Sequence, residues 1–355
     1  MMKQIETEVV AVDAESPEAA VIRRAADLMR RGEVVVFPTE TVYGLGADAL
    51  QPAALEKIFV AKGRPLSDPL IVHIAEYSTL EELTTAIPEE ARQLARVFWP
   101  GPLTLLLPRG PRVPRIVTAG METVAIRMPS HPVAQALIRE LGSPIAAPSA
   151  NRFMHVSPTT ADHTLADLCG RVPLILDGGP CPVGVESTIL DLSAEVPIIL
   201  RPGGVSLEQL RTVLPTVQVP RGREARSEEQ AQRAPGQLPT HYAPAIPLLL
   251  FDGSEEAMRV AMLEELQRRT QRGERAGVLV ADSDLAAFQE SKALVFALGD
   301  AAQPAQVAAS LFAGLRALEE ANVQIILCRN FTEHGLGLAV RDRLKRAAGG
   351  KVIQV

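Results

Sequence analysis

Short apolar runs alternate with amphipathic stretches along the N-terminal part of the chain, which predicts short strands separated by helices. A first helix is predicted to begin at Ser16 and Pro17, because serine is a favoured N-cap and proline suits the first helical position. It is predicted to end at Gly32, since glycine suits the position after the last turn. The further predicted helices cover residues 52–60, 89–98, 132–141 and 160–168, and the predicted strands cover residues 33–37, 70–74, 103–107, 123–128, 144–147, 174–176, 188–192 and 198–200. This mixture predicts an α/β fold with some antiparallel pairs in its sheet.

A polar stretch rich in proline and glycine at 214–239 interrupts the pattern, and we predict that it is a linker or mobile loop. Strands and helices alternate regularly after it. The predicted strands cover residues 246–251, 277–281, 293–297 and 324–327, and the predicted helices cover residues 254–271, 304–320 and 338–348. Alternating units of this length predict a small doubly wound, Rossmann-like sheet. We therefore expect a catalytic domain at 1–212, a linker or lid at 213–244, and a smaller C-terminal domain at 245–355.

Composition narrows the classes of function. The chain has 355 residues, more than one hydrophobic core usually organises, in agreement with two domains. Its formal net charge is -6, so we do not expect the broad basic surface with which proteins bind nucleic acid. The three cysteines show no CxxC spacing, and no apolar run is long enough to span a membrane. These features favour a reducing, cytoplasmic location without membrane association.

Cations at strand ends and turns supply the first candidate chemistry. Lys62 and Arg64 stand in the turn KGRP, downstream of the stretch FPTETVYGLGA. Arg127 and Arg201 each follow apolar residues of predicted strands, where an unpaired guanidinium is costly unless it lines a polar cavity. In an acidic chain, such cations predict a pocket for a polyphosphate and a carboxylate. Structural ion pairs remain the alternative for any single arginine.

Residues 44–49 fit the GxGxxA pattern of dinucleotide-binding folds, but their context argues against that function. Residues 38–43 separate the predicted strand from the glycines, and Lys62 and Arg64 stand where an acid would bind a ribose hydroxyl. The sequence also lacks GxxxxGK[ST], so a nucleotide is not expected to bind on a P-loop.

Hydroxyl and amide side chains follow several predicted strands. Ser149 and Asn151 stand in APSAN, Ser157 and Thr159 in SPT, and Ser187 in GVEST. Such residues are often turn or cap residues. Since neither GxSxG nor a Ser-His-Asp order is evident, we expect these hydroxyls to bind ligand, not to act as nucleophiles.

The sequence leaves open the roles of His73 and of the segment that contains Tyr242. His73 lies in the apolar run PLIVHIA, where a single histidine is usually a satisfied core residue. The histidines show neither HExxH nor paired spacing, so we predict no protein-held metal and expect any divalent ion to arrive with substrate phosphates. Tyr242 stands in HYAP at the end of the irregular stretch, which forms either a rigid linker end or a lid.

Nine ordered motifs resemble one family. PTETVYGLG, KGRP, PLIVHI, WPGPLTLLL, VAIRMP, APSAN, SPT, GVESTILDL and ILRPGG together resemble the YrdC-type domain of L-threonylcarbamoyladenylate synthases. PGxxxxHYAP and GLGLAVRDRLKRAA resemble the longer, two-domain members, so the resemblance covers nearly the whole chain. It implies a twisted, mixed-sheet YrdC-like catalytic domain with a central cavity, followed by the Rossmann-like domain.

The resemblance also implies an activity. The family condenses L-threonine, bicarbonate or CO2, and ATP to threonylcarbamoyl-AMP, and releases pyrophosphate. Mg2+ is expected to be carried by the ATP phosphates. The product would reach tRNA through a separate downstream threonylcarbamoyl transferase, so tRNA itself is expected to bind only indirectly or weakly.

Site residues are carried over from the family motifs. The threonine-binding residues implied are Thr41, His73, Arg127, Ser149 and Ser187. The ATP-binding residues implied are Arg64, Asp68, Thr123, Asn151, Ser157, Thr159, Arg201 and Tyr242. Lys62 and Arg64 are the catalytic cations, and alanine at either position is expected to remove turnover while leaving the fold intact. Asp68 stands where relatives often carry asparagine. An acid there would repel a phosphate unless Mg2+ or Arg64 intervenes, so its carboxylate is expected to contact ribose or a metal instead.

Two alternatives remain at this point. Carbamoyl transfer, as in hydrogenase maturation, uses a related domain but also CxxC zinc modules, which three scattered cysteines do not supply. A non-catalytic RNA-binding module would show a basic face with exposed aromatic residues, whereas this chain is acidic and has one tryptophan. Pyrophosphate release that depends on ATP and threonine separates these functions.

Overall fold

The computed structural model of the chain describes residues 5–219, 232–236 and 242–355. The chain forms two compact units. The first unit comprises Met1–Phe153 and Ser157–Leu238, and the second comprises Met154–Val156 and Pro239–Val355. Much of the predicted linker falls on 220–231 and 237–241, outside the described residues. The predicted domain limits at 212 and 244 therefore stay a prediction.

One mixed sheet forms the centre of the first unit. Its strands are β1 (Glu8–Ala11), β2 (Val35–Phe37), β3 (Gly44–Asp48), β4 (Ile71–His73), β5 (Leu103–Pro108), β6 (Thr123–Arg127), β7 (Ile145–Ala146), β8 (Leu174–Asp177), β9 (Thr188–Asp191) and β10 (Ile198–Arg201). The helices are α1 (Ala19–Arg30), α2 (Pro52–Lys62), α3 (Ser78–Leu83), α4 (Glu89–Phe98), α5 (Pro132–Leu141), α6 (Ala161–Leu168) and α7 (Leu207–Val213). The strand order is β1-β8-β2-β3-β7-β4-β6-β5-β9-β10, with parallel and antiparallel pairs.

The predicted start of α1 was wrong by two residues. The helix begins at Ala19, because Ser16 is held in the preceding turn, where its N–H donates to the Asp13 carboxylate at 2.7 Å. The Glu18 carboxylate in turn accepts from the Asp13 N–H at 3.1 Å. The predicted end is confirmed, since Gly32 has a φ of 77° in the left-handed region.

The GxGxxA segment forms strand β3, which the sequence analysis did not predict. A Cβ on Gly46 would lie 2.6 Å from Phe37 and 2.7 Å from Ile145. Glycine is therefore required there by close packing against neighbouring side chains, not by the approach of a pyrophosphate. The structure agrees with the rejection of a dinucleotide-binding loop at this position.

Strand register brings distant polar residues into one row. Thr104 of β5 is paired with Arg127 of β6 on one side and with Ile189 of β9 on the other. Ile189 is in turn paired with Arg201 of β10. Because paired residues point to the same face of a sheet, this register places the two arginines in one row with Thr104 between them.

The second unit contains a parallel sheet in the order β13-β12-β14-β11-β15. Its strands are β11 (Leu248–Asp252), β12 (Ala276–Val280), β13 (Leu294–Ala297), β14 (Ile325–Arg329) and β15 (Val352–Gln354). Its helices are α8 (Glu255–Gln271), α9 (Leu285–Phe288), α10 (Pro304–Glu320) and α11 (Gly337–Ala347). Consecutive residues of β12 face different helices, since Gly277 lies against Leu318 of α10 and Val278 packs in the cluster with Met258 of α8. Helices thus cover both faces, which confirms the predicted doubly wound domain.

Candidate active site

Arg127 forms the centre of a buried polar cluster at the end of β6. Its Nη1 donates to the Thr41 hydroxyl at 2.9 Å, and its Nε donates to the carbonyl of Gly101 at 3.3 Å. The Glu40 carboxylate lies 2.8 Å from Nη2. The structure therefore brings together two predicted threonine-binding residues and adds Glu40, which the sequence analysis missed. The position of Glu40 between the two threonines of PTETVYG is the sequence feature that could have indicated it.

The turn that contains Thr41 is fixed by its own hydroxyls. Thr39 Oγ1 donates to the carbonyl of Val42 at 2.7 Å and lies 2.8 Å from Thr41 Oγ1. Since the Thr39 proton is committed to Val42, Thr41 donates to Thr39 and accepts from Arg127. The O–H donor and one lone pair of the Thr41 hydroxyl are thereby used within the cluster.

Ser187 joins Arg201 to Thr104 of the neighbouring strand β5. Its hydroxyl lies 2.7 Å from that of Thr104, which is fully buried, and accepts from Arg201 Nη2 at 3.1 Å. Arg201 Nη2 also donates to the Ser187 carbonyl at 3.0 Å. A predicted threonine-binding residue and a predicted ATP-binding residue therefore share hydrogen bonds. Thr104 was missed because its role depends on strand register, which the sequence does not reveal.

The side chain of Lys62 binds backbone carbonyls of the APSAN loop. It is the last residue of α2, is 3% exposed, and donates from Nζ to the carbonyl of Ser149 at 2.6 Å and to that of Asn151. The Ser149 hydroxyl donates to the Asn151 side chain at 2.5 Å. The predicted catalytic lysine, one predicted threonine residue and one predicted ATP residue thus lie in direct contact.

Arg64 and Asp68 form a buried ion pair. Arg64 Nη2 lies 3.0 Å from the carboxylate, and both side chains are nearly inaccessible to solvent. Burial raises the pKa of Asp68, while the charges of Arg64, Lys62 and Arg201 act to lower it. Arg64 thus contacts this carboxylate directly, and Lys62 and Arg201, which come from distant parts of the sequence, lie near enough for their charges to act on it. The expected contact of Asp68 with ribose or metal stays a prediction, since the structure shows its pairing with Arg64.

The SPT turn is anchored to its own neighbours. Ser157 Oγ donates to the Glu186 carboxylate at 2.5 Å, and Thr159 Oγ1 lies 3.3 Å from His163 Nδ1.

Thr123 is the first residue of β6, opposite Pro108 of β5. The predicted ATP-binding roles of Ser157, Thr159 and Thr123 stay predictions.

Tyr242 lies in the second unit. Its ring stacks on Phe312 with centroids 5.8 Å apart, and the Arg343 guanidinium lies 4.8 Å from the ring centroid. The ring is thus packed between an aromatic residue and a cation of its own unit. Its predicted contact with ATP stays a prediction.

His73 is buried and uncharged. Nδ1 lies 3.2 Å from the carbonyl oxygen of Ile71, and the ring meets Phe37 edge to face at a centroid distance of 6.3 Å. Burial, with a smaller contribution from the Arg127 charge, lowers the pKa of His73 from 6.5 to about 3. As the pH falls below 6.5, the unfolded chain therefore binds this proton before the folded chain does. The contribution of this pKa difference to the free energy of unfolding is present above about pH 6.5 and is lost progressively toward pH 3.

A pH shift tests this state of His73. Lowering the pH from 7 to 5 should reduce the unfolding free energy of the wild type by about 2 kcal/mol more than that of His73→Gln, because only the wild type carries this depressed pKa. Urea unfolding of both proteins at the two pH values measures the difference. Equal losses of stability would show that His73 titrates alike in the folded and unfolded chain.

Within the ranges the structure describes, no group of three or more histidine, cysteine, aspartate or glutamate side chains is arranged to hold a metal ion.

Comparisons with known proteins identify both parts of the chain. Residues 27–203 match the Sua5/YciO/YrdC family model, whose description reads "Telomere recombination". Residues 205–349 match the model described as "Threonylcarbamoyl-AMP synthase, C-terminal domain". A Bacillus subtilis protein named threonylcarbamoyl-AMP synthase is 48% identical over 94% of each chain. A Pyrococcus abyssi protein of that name is 44% identical over 94% of this chain and 96% of its own.

The fold leads to the same relatives. The crystal structure of Pyrococcus abyssi Sua5 complexed with L-threonine superposes with a TM-score of 0.92, at 42% identity, and covers 98% of this chain and 99% of that one. The predicted fold class and the predicted two-domain form are confirmed by this match. The chain therefore belongs to the family of threonylcarbamoyl-AMP synthases, in the form with a C-terminal Sua5 domain.

Proposed function

We propose that this chain condenses L-threonine, bicarbonate or CO2, and ATP to threonylcarbamoyl-AMP and pyrophosphate at the cluster of buried cations described above. The predicted activity and enzyme class are confirmed at the level of the family, since relatives with 44% and 48% identity carry that name. The assignment to individual residues is our proposal. The observation that carries it is the set of buried cations: Arg64 pairs with Asp68 at 3.0 Å, Lys62 holds the loop with Ser149, and Arg201 donates to Ser187.

Threonine is assigned to the side of the cluster around Arg127. A guanidinium presents a rigid fork of donors that suits a carboxylate, and Arg127 is held by Thr41 and Gly101. Ser149 and Ser187 supply hydroxyls from the neighbouring loop and strand, and His73 supplies a neutral ring. The threonine complex of the Pyrococcus abyssi relative supports an amino-acid site in this fold.

ATP is assigned to the side around Lys62, Arg64 and Arg201. The threonine amine adds to CO2, and the resulting carbamate oxygen attacks the α-phosphorus while pyrophosphate leaves. This route needs no side-chain nucleophile, so the chain contributes alignment of the substrates and cationic stabilisation of the phosphoryl oxygens. We propose that ATP enters as its Mg2+ complex, because Mg2+ commonly binds through substrate phosphates.

We further propose a cytoplasmic enzyme whose product passes to a separate tRNA-modifying transferase. Cys169, Cys181 and Cys328, all within described ranges, are free thiols, which suits a reducing compartment. Across the described ranges, no helix combines the length and the apolarity needed to cross a bilayer.

Pyrophosphate release tests the proposed function. We expect release that requires ATP, L-threonine and bicarbonate together, because the attacking carbamate forms only from the latter two. Coupled detection of pyrophosphate, with each substrate omitted in turn, measures it. Release without threonine would contradict the synthase assignment, and RNA affinity without any turnover would favour the non-catalytic module.

A further inference from the structure

The buried pair of Glu40 and Arg127 has unused hydrogen-bonding capacity. Glu40 is 6% exposed and Arg127 is 3% exposed. Glu40 Oε1 lies 2.8 Å from Arg127 Nη2, but the groups are not aligned as a hydrogen bond. Within the described part of the chain, neither oxygen of Glu40 nor Nη2 of Arg127 has a hydrogen-bond partner.

This arrangement is costly for a purely structural ion pair. Buried charges need both an opposite charge and hydrogen bonds to offset their loss of hydration. Arg127 meets part of this need through Thr41 and Gly101, whereas Glu40 has the charge contact alone. A ligand that supplies a donor to Glu40 and an acceptor to Nη2 would remove both deficits.

Apart from Arg127, two neighbouring titratable groups, His131 and Cys181, add no positive charge at Glu40. His131 and Cys181 both lie close enough to Glu40 to feel its charge. Burial lowers the pKa of His131 and raises that of the Cys181 thiol, so both groups are neutral near pH 7. Glu40 and Arg127 thus remain the charged pair at this place, and a zwitterionic ligand with its ammonium at Glu40 and its carboxylate at Arg127 matches both charges.

An α-amino acid carries the required groups on adjacent atoms. Its carboxylate accepts from a guanidinium, and its ammonium donates to a carboxylate. We propose that Glu40 binds the α-ammonium group of L-threonine while Arg127 binds the α-carboxylate. This inference rests on the proposed function and adds to it a substrate-binding residue that the motif comparison had not supplied.

The contact persists through the first chemical step. The ammonium loses one proton to solvent to become the nucleophilic amine. As the amine nitrogen bonds to the carbon of CO2, one C=O electron pair moves to oxygen and the nitrogen releases a second proton to solvent. The carbamate nitrogen keeps one N–H, which still donates to Glu40. Glu40 therefore fixes the nitrogen before and after carbamate formation, which is a positioning contribution to catalysis.

A ligand pair that differs only at the α-substituent tests the proposal. L-Threonine is compared with (2S,3R)-2,3-dihydroxybutanoate, which replaces the ammonium by a hydroxyl and keeps the rest of the molecule. The wild type should prefer threonine by about 10- to 100-fold, as expected for a hydrogen bond between charged groups, and Glu40→Gln should lose most of that preference. Calorimetric titration of each ligand measures both ratios.

The matched control is Glu76→Gln. Glu76 is an exposed glutamate paired with Arg139, so its loss should leave the preference for threonine unchanged. A merely structural role of Glu40 would weaken both ligands equally and keep their ratio, and that result would overturn the proposal.

Two further outcomes separate this inference from the proposed function. If Glu40→Gln does not fold, the wild type still decides, because equal affinity of the wild type for the two ligands contradicts an ammonium site. If the wild type does not bind L-threonine at all, the proposed function fails and this inference fails with it. Threonine binding with an unchanged ratio in Glu40→Gln refutes the role of Glu40 alone.

Discussion

We expect Lys62→Met to lower the turnover number for pyrophosphate release by about 30- to 1,000-fold, the effect of removing one preorganised group from a developing phosphoryl charge. Methionine keeps the length of the apolar stem but removes the ammonium. The variant also removes the donor that holds the carbonyls of Ser149 and Asn151, so substrate affinity should fall as well. Steady-state kinetics of pyrophosphate release, with threonine and ATP varied separately, measure both effects.

Lys57→Met is the matched control for this experiment. Lys57 lies on the same helix α2 but is 45% exposed at its side chain, where it pairs with Glu33. Its substitution should leave turnover within about twofold of the wild type, since exposed ion pairs contribute little. Wild-type turnover in Lys62→Met would remove Lys62 from the catalytic assignment.

We expect Arg64→Met to lower the unfolding free energy by about 3–5 kcal/mol, because it leaves the buried carboxylate of Asp68 without its 3.0 Å partner. The structure thus changes the expectation from the sequence, which was that substitution at Arg64 would leave the fold intact. Urea unfolding of the variant and the wild type measures the loss.

The double variant Arg64→Met with Asp68→Asn separates the two roles of Arg64. Removing the unpaired carboxylate should restore most of the lost stability, since burial alone already raises the pKa of Asp68. Turnover should stay low, because the cation is still missing from the ATP side of the cluster. Wild-type stability in Arg64→Met would mean that the buried pair makes no net contribution, and full recovery of turnover in the double variant would contradict the catalytic role.

Local signals were sufficient for many elements of the fold. Helices α4, α5 and α10 begin and end where the sequence predicted, because proline at or near the helix start marks each of them and apolar spacing continues to the end. Strand β3 was not predicted, since GLGAD contains no β-branched residue and its Gly46 is required by the close approach of Phe37 and Ile145. Packing against neighbours, which a single segment does not encode, decided that element.

The site residues also divide into those that local sequence predicted and those that depend on the folded structure. Arg127 and Arg201 were predicted because each ends an apolar strand. A buried guanidinium at such a position is costly unless it is paired or lines a polar cavity. Thr104 and the pairing of Arg64 with Asp68 were not found, because they depend on contacts made after the chain folds. Glu40 belongs to the same group, since its isolation from hydrogen-bond donors is visible only in three dimensions.

The row formed by Arg127, Thr104, Ile189 and Arg201 implies strict limits on insertions and deletions. Side chains alternate between the two faces of a strand, so adding or removing one residue before Thr104 in β5 would turn its hydroxyl away from Ser187. The same change would shift the register of β5, so that Arg127 would no longer lie in one row with Ile189 and Arg201. Length variation among homologues should therefore be confined to the connections between these strands, whatever substitutions the strands themselves accept.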